Sequence, residues 1–328
     1  FKFSDGEEQY TSNFENPVFA VDTTQFSDGP YDVVISATNI GNQTAIETYQ
    51  VIVSNVGTTI SNLNPGQNQA VRAVHTFSAD VFDAAGIPSR SFFIDSELHN
   101  GLTTTSTGYL KSIDTSMYAD GSYTFKVEAT NSFSVTTNKE NTFIIDNTVP
   151  TLSDLGFDSG DFLIGTVNIN PTLTDANGIA SASLFFDNQL LSSTLHQNAF
   201  DLATGSYDEG DHTVKIILAD TVGNINTVET PVKIDNQAPT VNIWYPLDGD
   251  TVTSGFTLRW TQDDINGWGD TPARLYVGGL LYGEILNDIE QRSININNRP
   301  AGNNVIEVVV TDATGKISSH SITVNFQP

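Results

Sequence analysis

The sequence predicts an all-β protein made of β-sandwich modules in tandem. Three observations carry this: a repeat of about ninety residues, period-two alternation within each repeat, and turn residues closing each alternating stretch. The repeat is anchored by Gly29, Gly121, Gly210 and Gly302, spaced 92, 89 and 92 residues apart. A propeller blade would be about half that length.

After each glycine, alternate residues form one apolar face. They are Tyr31, Val33, Ile35 and Ala37, then Tyr123, Phe125, Val127 and Ala129. The later copies read His212, Val214, Ile216 and Leu218, then Asn304, Ile306, Val308 and Val310. Polar residues such as Lys126, Glu128, Lys215 and Glu307 lie between them. This is the pattern of a strand with one face in a core and the other in water, because a helix would scatter these side chains over several faces.

Each stretch ends on Asn39, Asn131, Asp220 or Asp312, and Gly41, Gly223 and Gly315 follow in three copies. That is a hairpin signal, leading into a second strand that carries Tyr49, Val51 and Val53 and, in later copies, Phe143 and Ile145, Val232 and Ile234, Val324 and Phe326. Proline at Pro150 and Pro239 stops the second and third of these strands. Upstream of the glycines lies a further aromatic strand: Phe1 to Phe3, Phe92 to Ile94, Leu184 to Phe186 and Leu275 to Val277. Val241 to Trp244 and Phe256 to Trp260 add two more strands in the last copy.

The chain has 328 residues, 38 % hydrophobic and 10 % aromatic, enough for about three or four packed units. Thirteen basic residues face 39 acidic ones, a formal charge of −26. Such a surface repels phosphate backbones and anionic lipid, so nucleic-acid binding is disfavoured; it suits a soluble surface protein or uptake of hard cations. With no cysteine, disulfides, thiolate catalysis and cysteine-based zinc sites are excluded. No apolar run is long enough to span a membrane. The start at Phe1, without Met or signal peptide, suggests a processed or excised segment.

The run Asp-Gly-x-Tyr, the alternating strand, Ala-Thr-Asn or Thr-Asp, then Ile-Asp-Asn-x-x-Pro resembles bacterial and archaeal immunoglobulin-like repeats. Those occur in adhesins, surface-layer proteins and accessory regions of secreted hydrolases. The resemblance implies immunoglobulin-like β-sandwiches arranged as beads on a string, with these segments as strands E, F and G. Gly-x-Tyr is similar to the tyrosine corner, which the third and fourth copies lack. Where disulfide-bonded members carry cysteine, this chain has Val33, Phe125, Val214 and Ile306, so apolar packing is expected to replace the bridge.

The expected domains are 1–56, a partial unit lacking its first strands, then 57–147, 148–236 and 237–328, the last with an aromatic B–C loop. The partial unit is explained by a chain that begins mid-domain, or by a neighbour that donates the missing strand.

In this topology the B–C and F–G loops lie beside the preceding linker. The junction of the third and fourth units then gathers Asp235, Asn236, Asp263, Asp264, Asn266 and Asp312 as oxygen ligands for Ca2+. The junction of the second and third gathers Asp146, Asn147, Asp175, Asn177 and Asp220. The first junction offers Ser54, Asn55, Asp83 and Asn131 and, with one carboxylate, is expected to be the poorest metal site. The competing explanation is that Asp and Asn serve as turn residues.

All three tryptophans lie in the last unit. Alternation places Trp260 in the core, and Trp244 is expected to pack inward as well. Trp268, in a polar glycine-rich loop with Asp270, is expected to be partly exposed and is the candidate aromatic plate for a sugar; the competing explanation is a loop tryptophan that folds back over the domain end. The histidines form no zinc-binding pattern, and no nucleophile elbow or phosphate-cradling loop appears. The expected function is therefore non-catalytic: an extracellular or cell-surface stalk, lattice or filament component that contacts other copies of itself, surface proteins or glycans. The alternative is a carbohydrate-binding accessory region of a secreted hydrolase.

Overall fold

Alternation translates directly into sheet geometry. The computed structural model describes residues 20–327; the strand expected at Phe1 to Phe3 lies outside them. The chain divides into two compact units, Phe1–Thr148 and Val149–Pro328. All regular structure among the described residues is β, apart from three 3-10 turns at Thr23–Gln25, Thr115–Met117 and Thr204–Ser206.

In the first unit, Gly121–Thr130 and Thr136–Ile145 pair antiparallel over their full length. Ser89–Ile94 adds to the free edge of Gly121–Thr130, followed by Glu97–His99. Gln69–Val71 pairs in parallel with Phe143 to Ile145 on the other side. A second sheet orders Thr59–Asn64, Val74–Phe82, Gly108–Asp114 and Thr103–Thr104. The two sheets enclose a core in which Phe77, Phe92, Phe125 and Phe143 are wholly buried. Phe77 meets Phe125 edge to face at 5.1 Å between centroids, a contact from one sheet to the other at a position where a bridging disulfide could stand. Phe125→Ala would cost about 3–5 kcal/mol through the cavity it leaves.

The same unit carries the hairpin Gly29–Thr38 and Thr44–Val53, a two-stranded sheet. Val33 and Val53 are buried, but Ile35, Ile46, Tyr49 and Val51 are exposed. In the other copies the face matching Val33 and Tyr49 is closed by further strands, one sheet in the second and fourth and two two-stranded sheets in the third.

The second unit repeats the architecture twice, with separate cores. One five-stranded sheet orders Phe162–Leu163, Ile225–Ile234, Gly210–Asp220, Ile179–Phe186 and Gln189–Ser192. The other orders Thr251–Val252, Ile317–Phe326, Gly302–Thr311, Ala273–Val277 and Leu280–Ile285. The short first strand is again parallel to the last strand in both. Facing the second of these is the sheet Thr240–Tyr245, Phe256–Asp263 and Gln291–Ile294. These are tandem immunoglobulin-like sandwiches by their own strand order.

The residues flanking the repeat glycine have a common task. Asp28 accepts from the N–H groups of Asn55 and Val56, and Asp120 from those of Asn147 and Thr148. Glu209 accepts from Asn236 N–H. The linker asparagine then reaches back: Asn147 Oδ1 accepts from Ala73 N–H, and Asn236 Oδ1 from Gly165 N–H. Thus the Asp-Gly motif and the Asp-Asn motif lock the end of the last strand onto the E–F turn.

The tyrosine corner holds in all four copies, although two lack tyrosine. Tyr31 and Tyr123 donate to the carbonyls of Ser27 and Ala119 at 3.0 and 2.9 Å. His212 and Asn304 make the corresponding contacts to Asp208 and Pro300 at 2.8 and 3.0 Å.

Candidate metal centre

The strand Gly302–Thr311 hands its chain to a tight hairpin whose first residue, Asp312, is buried. Its Oδ1 accepts from the N–H groups of Thr314 and Lys316, so this oxygen shapes the turn. The turn reading and the ligand reading therefore apply to different oxygens of one carboxylate. Asp235, at the end of the preceding module's last strand, is 1 % exposed. Asp264 follows the strand Phe256–Asp263 and is half-buried, its Oδ1 accepting from Asn266 N–H.

Ligand atoms of Asp235, Asp264 and Asp312 lie within 4.8 Å of one another. Asp235 Oδ2, Asp312 Oδ2 and Asn266 Oδ1 are buried and have no hydrogen-bond partner. Asn266 is fixed by donating its Nδ2 to the Ile234 carbonyl, which leaves its oxygen unused. Orphaned buried acceptors are destabilising unless a cation or donor meets them, and the bond from Asn266 N–H to Asp264 keeps that residue beside the carboxylates.

One positive charge is built in. Lys316 Nζ lies 2.9 Å from Asp235 Oδ1 and 3.8 Å from Asp312 Oδ2. A single ammonium cannot neutralise three carboxylates. Burial, reinforced by the charges of Asp235 and Asp312 and opposed by the Asn266 N–H, raises the Asp264 carboxyl above its ordinary range. Sequence reasoning missed Lys316. Its signal was position: it follows Asp312 by four residues, where Asn224 follows Asp220.

Asp263 and Asp270 are exposed and stand apart from the cluster. Strand alternation, continued past Trp260, turns Asp263 to solvent and Asp264 inward. Asn236 is committed to its own module, with Oδ1 accepting from Gly165 N–H and Thr204 Oγ1.

Asp146 belongs to the first compact unit, Asp175 and Asp220 to the second. Asp146 is 1 % exposed and accepts from Thr148 N–H. Asp175 accepts from Asn177 N–H. Asp220 commits Oδ1 to the N–H groups of Val222, Gly223 and Asn224, and Oδ2 to the Asn224 amide. At the first junction, Asp83 takes neutral donors: Thr58 Oγ1, Ser54 Oγ, Asn131 Nδ2 and Ala85 N–H.

Trp268 is half-buried against the core of the last sandwich, and its backbone bridges to Asp312. The expectation for Trp244 is overturned: it is 46 % exposed, because it follows the inward-facing Ile243 and so points to the outer face of its strand. Trp260 is wholly buried. His196 and His320 accept backbone N–H groups of Ala182 and Ile243, while His75 packs edge to face on Phe77.

No helix among the described residues is long and apolar enough to cross a membrane. No family model matches the sequence, and no curated protein matches it. Solved structures do. A tetra-tandem repeat from the extending region of a large adhesion protein is 13 % identical, with 94 % of this chain and 84 % of that one covered and a TM-score of 0.36. A 1.5-MDa bacterial ice-binding adhesin is 13 % identical over 82 % of this chain and 98 % of that one, TM-score 0.34. Cadherin domains 3–6 of protocadherin gamma B2 are 12 % identical over 90 % and 83 %, TM-score 0.33. At such scores the likeness adds nothing to what the strand order shows, which is a chain of tandem immunoglobulin-like sandwiches.

Proposed function

We propose that the protein is a non-catalytic extracellular spacer or adhesive array, with modules at 57–147, 148–236 and 237–328, and that a divalent cation clamps the last two. The observation behind this is the set of orphaned buried oxygens on Asp235, Asn266 and Asp312. They come from the linker, the B–C loop and the F–G turn, so one ion would tie the end of the preceding module to two segments of the next. All donors are oxygens, which suits a hard cation such as Ca2+. Asp235, Asp264, Asn266 and Asp312 would hold it, and its charge would supply what Lys316 leaves unneutralised. A clamp fixes the bend between modules, which is what a stalk under tension, or one presenting a distal domain, requires.

The test is calcium alone, added to chelator-treated full-length chain. Calcium should raise the unfolding midpoint and give a binding isotherm, and Asp312→Asn should lose that binding. The variant keeps the turn-forming Oδ1, and Asn already stands at the equivalent positions Asn39 and Asn131. A wild-type chain with no calcium-dependent shift and no binding heat would refute the clamp.

A further inference from the structure

A second surface lies on the outer face of the sheet Thr240–Tyr245, Phe256–Asp263 and Gln291–Ile294, and it shares no residue with the cation ligands. Ile243 pairs with Trp260, but the next matched pair is Tyr245 with Arg259. Trp244 is therefore the extra residue of a β-bulge, a device that re-aims side chains. Trp244 and Tyr245 are consecutive, yet 46 % and 45 % exposed, where strict alternation would bury one of them. The bulge turns two aromatic rings outward together.

The indole is also held. The Arg259 guanidinium lies 5.7 Å from the Trp244 ring centroid, a cation–π contact that limits its freedom while much of the ring stays open. Trp244 and Arg259 form a ridge between two shallow hollows of about 560 and 490 Å³. Hydroxyls and amides flank the ridge, together with Phe256 in the first hollow and Asp288 and Glu290 in the second. Thr257 lines the first hollow, Thr261 and Gln291 the second, and Gln291 pairs directly with Arg259 across the sheet.

We propose that this face binds a neutral polysaccharide laid across the ridge. An exposed, immobilised indole offers a flat apolar plate for the C–H face of a pyranose ring, and neutral hydroxyl and amide groups beside it suit sugar hydroxyls. The charge of −26, with Asp288 and Glu290 in the second hollow, works against anionic glycans and nucleic acid. Two hollows on either side of one plate favour a chain of several sugars over a monosaccharide.

The experiment is native gel electrophoresis of the full chain in gels containing a soluble β-glucan, α-glucan, xylan or mannan, with calorimetry on oligosaccharides of any polymer that retards it. At least one neutral polymer should retard the wild type, with no measurable affinity for the monosaccharide. Trp244→Ala should reduce affinity at least tenfold, and Gln291→Ala several-fold. Trp268→Ala and chelator should leave binding unchanged, so failure here is distinct from failure of the cation clamp. Should Trp244→Ala lose its unfolding transition, Gln291→Ala decides, since that side chain is exposed. Absence of retardation by all four polymers, or retardation unaffected by these substitutions, overturns the proposal.

Discussion

His212 Nε2 lies 2.8 Å from the carbonyl oxygen of Asp208, and Nδ1 of the same ring lies 2.6 Å from Asp187 Oδ2. A carbonyl only accepts, so Nε2 carries a proton. The contact to Asp187 is strongest when Nδ1 carries one too. The ring stacks on Phe186 at 5.0 Å and is largely shielded. An imidazole thus occupies the place taken by a tyrosine hydroxyl in the first two copies.

This makes the third module sensitive to pH in a defined direction. Burial opposes the charge, but hydrogen bonds to Asp187 and the Asp208 carbonyl, with the nearby acidic charges, outweigh it and raise the histidine above its ordinary value of 6.5. A raised histidine stabilises the fold fully below about pH 6.5, and that contribution is lost as pH climbs through the folded value. Hydrogen exchange of the strand Gly210–Asp220 should accelerate as pH rises above about 6.5 beyond the intrinsic chemical trend, and His212→Gln should remove the excess. An excess that survives in the variant would rule His212 out as its source.

The lock beside Gly121 and Gly210 gives a second expectation. Asp120 accepts from two backbone N–H groups and the Thr148 hydroxyl, whereas Glu209 accepts from one N–H. Asp120→Ala should cost about 1–2 kcal/mol and Glu209→Ala less, read as unfolding midpoints in denaturant. The Thr148 hydroxyl, then the Asn147 N–H, hold the Asp120 carboxyl below its ordinary range. Its contribution is therefore present at neutral pH and fades as pH falls through the lowered value. Equal costs for the two substitutions would contradict this account.

Lys316 carries the third. In chelator it is the internal counter-ion of the carboxylate cluster, so Lys316→Met should destabilise the last module. Removing one partner of a buried pair costs about 3–5 kcal/mol, and the low end applies here because the lysine is 23 % exposed. With calcium the sign reverses: loss of a competing positive charge should tighten calcium binding by about tenfold or more, which is about 1.4 kcal/mol. Exchange of the strand Ile317–Phe326, with and without calcium, separates the two effects. A lysine that only decorates the surface would change neither.

The strand pattern was legible because burial on one face imposes period two. Phe125, Val127 and Ala129 are all buried, as are Ile306, Val308 and Val310. Asp235, Asp264 and Asp312 were legible because repeat arithmetic places their loops at one pole. The outward pair Trp244 and Tyr245 was not, since a single inserted residue shifts the phase of alternation at Tyr245 and leaves no mark in composition. The corner in the third and fourth copies was hidden because His and Asn make the bond with different atoms at the same backbone position. Lys316 was hidden because a lysine in a turn normally reads as solvated.

Gly108 provides a final expectation, and it was equally silent. Ser-Thr-Gly-Tyr reads as a turn, yet Gly108 sits in a strand, paired with Asp80 and buried. A Cβ there would lie 1.9 Å from the Ala79 carbonyl oxygen and 2.7 Å from Asp80 Cα, both backbone atoms that cannot swing aside. Around it Asp80 accepts from the Asn62 amide and the Thr107 hydroxyl, which pins the crossing strand in place. Gly108→Ala must therefore push a pair of hydrogen-bonded strands apart, at about 1–3 kcal/mol or more. Gly101→Ala is the informative comparison: its φ is +76°, but its surroundings are empty, so it incurs only the left-handed backbone penalty of about 1–2 kcal/mol. Exchange should therefore rise along Val74–Phe82 in Gly108→Ala, while in Gly101→Ala it should stay local to the loop. Protection lost equally in both would mean that crowding against Ala79 is not what selects glycine at this position.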